Sequence, residues 1–142
     1  MRILLADDEQ ISREMMADYL EGLLGHEVVQ CDNGKEALEK FKEEPFRLVV
    51  SDIKMPVMNG NELLHEIKQL PEGKDCVVVL ITGYAELDSA VQAVRDGAFD
   101  YLRKPIDIEQ LDSLIVNIQN VISNNDKPEE EDDPAAEGLL EN

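Results

Sequence analysis

The chain has 142 residues, of which 13 are basic and 32 acidic, giving a formal net charge of −19. Hydrophobic residues make up 43%, enough for one domain with a sizeable core, while the shortage of clustered Lys and Arg argues against binding a phosphate backbone or an anionic membrane surface. No apolar run reaches the ~18 to 20 residues of a spanning helix, no signal peptide opens the chain, and Cys31 and Cys76 make neither a disulfide scaffold nor a zinc site, so a reducing, cytoplasmic setting is expected.

Two hydrophobic periods alternate along the first 122 residues. A short apolar run at 3–6 predicts a first strand. Ile11, Met15, Tyr19 and Leu23 then recur every four residues and predict a first helix with these side chains on its buried face, ended by Gly25. A second strand is expected at 28–31. Asn33-Gly34 turns the chain into a helix carrying Ala37, Leu38 and Phe41, closed by Pro45. A third strand follows at 48–51 and a helix with Leu63, Leu64 and Ile67. Residues 77–81 are apolar at every position, which suits a central strand covered on both faces. Leu87, Ala90, Val91 and Val94 form a fourth helical stripe, and 98–102 a fifth strand. The last stripe is Ile108, Leu111, Leu114, Ile115, Ile118 and Ile122. Met15, Met16, Met55 and Met58 read as packing residues, and Cys31 and Cys76 as small buried hydrophobes. His26 and His65 have no partner motif.

Five strands alternating with five helices predict an α/β fold, a parallel sheet with helices on both faces and right-handed crossovers. Ligands in such sheets bind beyond the carboxyl ends of the strands, where strand order reverses. Asp7 and Asp8 follow the first strand, Asp52 the third, Thr82 ends the fourth, and Lys104 follows the fifth. If the first and third strands are neighbours, the three carboxylates converge. Two such charges ~4 Å apart repel by roughly 4 kcal/mol at an effective dielectric near 20, so a cation must join them or a carboxyl stay protonated. Oxygen donors without His or Cys favour Mg²⁺. With a lysine and a hydroxyl alongside, the set is equipped for phosphoryl transfer. Taken singly, Asp7 or Asp8 is as readily a helix cap.

The stretches RILLADDE (2–9), LVVSDIKMPVMNG (48–60), VVLITGYA (78–85) and GAFDYLRKPI (97–106) are together similar to the receiver domain of two-component response regulators. The resemblance covers about residues 1–122 and implies a flavodoxin-like five-stranded sheet of order 2-1-3-4-5. It implies Asp52 as the phosphoacceptor, taking the phosphoryl group from a sensor histidine kinase or phosphotransfer protein. Asp8 would bind Mg²⁺ directly, Asp7 largely through water, and the backbone carbonyl of Lys54 would be a further ligand beside Asp52. Thr82 and Lys104 would engage the phosphoryl oxygens, and Tyr101 would move inward with Thr82. The Lys104–Pro105 bond is often cis in such domains. Lys54 and Tyr84 occupy positions that help set how fast water reaches the acyl phosphate; a surface aromatic with no such role is an equal reading of Tyr84, and Arg103 reads as a solvated charge.

The implied function is a signalling switch that catalyses only its own phosphorylation and dephosphorylation, with its output through the fourth helix, fifth strand and fifth helix to an effector domain or protein. Homodimerisation through that face is left open. Two rivals stand beside it: a phosphatase with a covalent aspartyl intermediate and a purely scaffolding domain. Phosphatases of the haloacid-dehalogenase type carry a second acid two residues beyond the nucleophile, where this chain has Lys54. Residues 1–123 are expected to form the receiver domain. Residues 124–142, with eight acids and one lysine from Asp126 onward, read as an acidic disordered tail or an interdomain linker. The chain is thus either a stand-alone receiver or the first part of a longer regulator.

Overall fold

A computed structural model of the chain describes residues 1–22 and 24–125. The expected stripe residue Leu23 and residues 126–142, which hold most of the expected tail or linker, lie outside the described residues. The elements alternate as β1 (Arg2–Ala6), α1 (Gln10–Gly22), β2 (Glu27–Cys31), α2 (Gly34–Glu43), β3 (Leu48–Asp52), α3 (Gly60–Gln69), β4 (Val77–Thr82), α4 (Leu87–Arg95), β5 (Asp100–Arg103) and α5 (Ile108–Asn125). All strand pairs are parallel, in the order β2-β1-β3-β4-β5. The doubly wound sheet expected from the sequence is therefore present.

Alternation along each strand sorts the core into two layers. Leu4, Ala6, Val49, Val78 and Leu80 face α2, α3 and α4, where Phe41, Leu63, Ile67, Ala90 and Ala93 meet them. Ile3, Leu5, Val50, Val79 and Ile81 face α1 and α5, against Ala17, Leu20, Leu111, Leu114 and Ile118. The central strands β3 and β4 are buried throughout, as unbroken apolar runs require. Helix starts and stops follow local chemistry. The Asn33 side chain accepts from the Glu36 amide to cap α2, and Asn59 and Glu62 form a reciprocal capping box on α3. Gly25, at φ 74°, ends the α1 segment as expected.

Two stripes need correction. Ile11 and Met15 are 76% and 67% exposed, and α1 instead buries Ala17 and Leu20, with Met16 and Tyr19 partly covered. Each four-residue step overshoots a helical turn by about 40°, so a strict i, i+4, i+8 series winds off any one face. In α4 the buried positions are Ala90 and Ala93, and Val91 and Val94 face outward. The fifth strand begins at Asp100, not at residue 98, because Ala98 still closes the end of α4 through its amide to Ala93.

Candidate functional site

The register of the sheet assembles the site. Ala6 pairs with Ser51 across β1 and β3, so Asp7 and Asp52 emerge side by side one residue later. Carboxylate oxygens of Asp7, Asp8 and Asp52 all lie within 4.8 Å of one another. Thr82 pairs with Arg103 at the end of β4 and β5, which brings Lys104 over the same edge. Lys104 Nζ donates to Asp52 Oδ2 at 2.8 Å, and its amide to the Thr82 carbonyl at 2.9 Å. The Lys104–Pro105 peptide is cis.

Burial makes these charges matter. Asp7 and Asp52 are only 3% and 5% exposed, whereas Asp8 is open to solvent. Desolvation, reinforced by the neighbouring Asp52 charge, pushes the Asp7 carboxyl up to about 6, against the lowering effect of a hydrogen bond from the Glu9 amide at 2.9 Å. Asp7 thus does both things its position allows: it caps the turn into α1 and joins the cluster. Desolvation works against the charge on Lys104, but its bond to Asp52 and the surrounding acids raise its pKa overall. The second Asp52 oxygen, Oδ1, accepts from the Ile53 amide at 3.0 Å. The donor set of three hard carboxylates, two of them shielded from water, fits a divalent cation held through oxygen.

Thr82 is fully buried, and its hydroxyl donates to the Gly83 carbonyl at 2.9 Å. Lys54 is exposed in the loop after Asp52, and Tyr101 is half-buried against the α2–α4 side of the core. Tyr84 is 86% exposed, with the Arg103 guanidinium 5.8 Å from its ring centre, so Arg103 has an aromatic neighbour that the sequence did not announce. Cys31 and Cys76 are buried as expected, and burial pushes both thiols up to about 12.

Two site-shaping residues escaped the sequence reading. Gly60 lies so close to β3 that an added Cβ would sit 2.4 Å from the Asp52 carbonyl oxygen, and its amide bonds to the Ile53 carbonyl at 2.8 Å. The Asn-Gly pair marked a turn but not this contact. Arg13 reaches back to the Asp7 carbonyl; the available signal was a base in the opening turns of a helix, where it opposes the dipole. Beside the acids, a cleft of about 660 Å³ runs between α1 and the β5–α5 connection, with Met15, Met16, Tyr19, Ile106 and Ile108 on its apolar walls and Asp7 and Lys104 at one end.

No helix among the described residues is long and apolar enough to cross a membrane. Comparison with known proteins agrees with the geometry. The chain is 41% identical over 118 residues to the response regulator protein FleR of Pseudomonas aeruginosa, covering 80% of this chain and 24% of FleR. It is 40% identical over 109 residues to the transcriptional regulatory protein ZraR of Klebsiella oxytoca, covering 77% of this chain and 24% of that protein. The chain thus spans about a quarter of the length of these curated relatives. Among solved structures, the REC domain of AraT, a response regulator from Geobacillus stearothermophilus, superposes with a TM-score of 0.80 at 30% identity, covering 89% of this chain and 98% of that one. The family model described as the response regulator receiver domain matches residues 3–116, which takes in β2 to β5, all but the first residue of β1 and every acid of the cluster, and the chain belongs to that family.

Proposed function

We propose that this chain is a phosphorylation switch in which Asp52 accepts a phosphoryl group from a phosphohistidine on a sensor kinase or phosphotransfer protein, with Mg²⁺ held by Asp7, Asp8, Asp52 and the Lys54 backbone carbonyl. The single observation that carries the reading is the Asp52–Lys104 pair at 2.8 Å inside a cluster of three carboxylates. Mg²⁺ supplies charge neutralisation and a coordination position for a phosphoryl oxygen. Everything else falls to the chain. An Asp52 oxygen forms the new bond to phosphorus as the phosphorus–nitrogen bond breaks, and the histidine keeps the electron pair and takes a proton from solvent. Lys104 moves from the carboxylate to the incoming anion, and the Thr82 hydroxyl leaves the Gly83 carbonyl to donate to it.

Phosphorylation adds about −1.5 to −2 charges, a large change in a pocket already crowded with acid. Drawing Thr82 inward frees space for Tyr101, and the surface of α4, β5 and α5 shifts between two populations. That face is the proposed output to an effector domain or protein, and the face through which two copies can pair. The phosphodonor approaches along the cleft between α1 and the start of α5: this apolar cleft reaches the acids, and exposed Met15 and Ile108 flank it. The receiver domain, through the end of α5 at Asn125, acts as the switch, and the acidic residues beyond it serve as a tail or an interdomain linker. No external metabolite is turned over, and the setting is the cytoplasm.

Acetyl phosphate with Mg²⁺ tests the proposal by intact mass. One phosphoryl group per chain is expected, absent without Mg²⁺ and absent in Asp52→Asn. Addition that survives Asp52→Asn, or sustained phosphate release over many turnovers, would overturn it, the latter in favour of a phosphatase.

A further inference from the structure

The peptide between Asp7 and Asp8 decides whether both carboxylates can serve one site. Successive side chains of a strand face opposite ways, so two adjacent aspartates share a pocket only where the backbone turns between them. The chain bends at Asp8, directly after β1. On the inner side of that bend the Asp7 amide donates to the Cys31 carbonyl at 3.1 Å. On the other side the Asp7 carbonyl accepts from Arg13 Nη1 at 2.9 Å. Arg13 is half-buried in α1 and is anchored a second time, its Nε donating to Gln30 Oε1 on β2 at 3.0 Å. The guanidinium therefore ties α1 and β2 to the one carbonyl whose direction sets the Asp7–Asp8 peptide plane.

We infer that Arg13 is a positioning residue for the divalent-cation site: it fixes the bend so that the carboxylates of Asp7 and Asp8 meet that of Asp52. The inference rests on the metal-binding reading of the cluster. It makes a prediction opposite in sign to plain electrostatics. A positive charge near an acidic pocket repels a cation, so removing Arg13 tightens Mg²⁺ if charge is all it contributes. If it holds the bend, removing it loosens Mg²⁺, as loss of an outer-shell partner does.

Calorimetric titration of MgCl₂ into the full chain at fixed ionic strength separates the two, with circular dichroism as the check on folding. For Arg13→Ala, affinity is expected to fall about tenfold. Arg13→Lys keeps the charge and one donor and is expected to recover part of the loss. Gln30→Ala removes only the second anchor and is expected to show a smaller loss of the same sign. A folded Arg13→Ala that binds Mg²⁺ as tightly as wild type, or more tightly, overturns the inference. Should Arg13→Ala not fold, an unchanged affinity in Gln30→Ala overturns it. A wild-type chain that takes up no Mg²⁺ instead overturns the reading of the site, and the inference with it.

Discussion

Asp7 shows how one side chain can stabilise a function at the expense of the fold. Its carboxyl has a pKa near 6 in the folded protein against a reference of 3.8, chiefly through burial and then the charge of Asp52. Between those values the folded state binds more protons than the unfolded one, so stability falls as pH rises through the window. The contribution is complete below about 3.8 and gone above about 6. Other carboxylates titrate in the same range, so the useful quantity is a difference. In metal-free buffer, Asp7→Asn is expected to gain thermal stability relative to wild type as pH is raised from 4 to 7, with the gain levelling off near neutrality. Parallel Tm profiles for the two proteins would show that Asp7 is not strained by its ionisation. Gly60 sits at the same scale: with the Asp52 carbonyl 2.4 Å from where a Cβ would lie, the end of β3 and the start of α3 touch backbone to backbone.

At the scale of elements, α1 is built with one face for the sheet and another for solvent. Ala17 and Leu20 are buried, while Ile11 and Met15 stand out at 76% and 67% exposure, Met15 on the cleft that reaches Asp7. Removing such a side chain has little to disturb in the fold, within about 0.5 kcal/mol for an exposed substitution. A charge there should nonetheless be felt by a partner seated on the cleft. Met15→Glu is therefore expected to keep wild-type labelling by acetyl phosphate while labelling by phosphorylated kinases that serve the wild-type chain drops about tenfold, equivalent to about 1.4 kcal/mol. Equal loss with both donors would mean that Met15 affects Asp52 itself. The same helix shows what sequence can and cannot disclose. The strands were legible because runs such as 77–81 are apolar throughout, as a strand buried along its whole length requires, and the converging acids were legible because all three stand at the carboxyl ends of strands that pair. Large apolar side chains on α1 and α4 misled, since Ala17 and Ala93, outside the expected stripes, are fully buried while Ile11, Met15, Val91 and Val94 are exposed. Arg13 and Gly60 were invisible for another reason: the contacts by which they shape the site are to the backbone of Asp7, Asp52 and Ile53, and backbone position has no letter in a sequence.

For the molecule as a whole, the acids act at two ranges. Of the formal charge of −19, residues 1–125 carry −12, and folding brings those charges together, so added salt should stabilise by screening, gradually and without saturation. The cluster of Asp7, Asp8 and Asp52 adds a local response. A cation that binds only the folded state stabilises by about 2.7 kcal/mol when its concentration is 100 times Kd. Urea midpoints in NaCl and MgCl₂ at matched ionic strength should therefore share a slow rise, with a saturable increment in Mg²⁺ alone. Asp52→Asn should keep the slow rise and lose most of the increment, because one carboxylate of the set is gone while the net charge changes by a single unit. Coincident curves for the two salts in wild type would mean that the carboxylates hold no divalent ion and that Lys104 is their main counter-charge. A separate increment that Asp52→Asn removes would place the cation where the register of β1 and β3 puts the acids, and it would link the overall stability of the fold to the loading of that cluster.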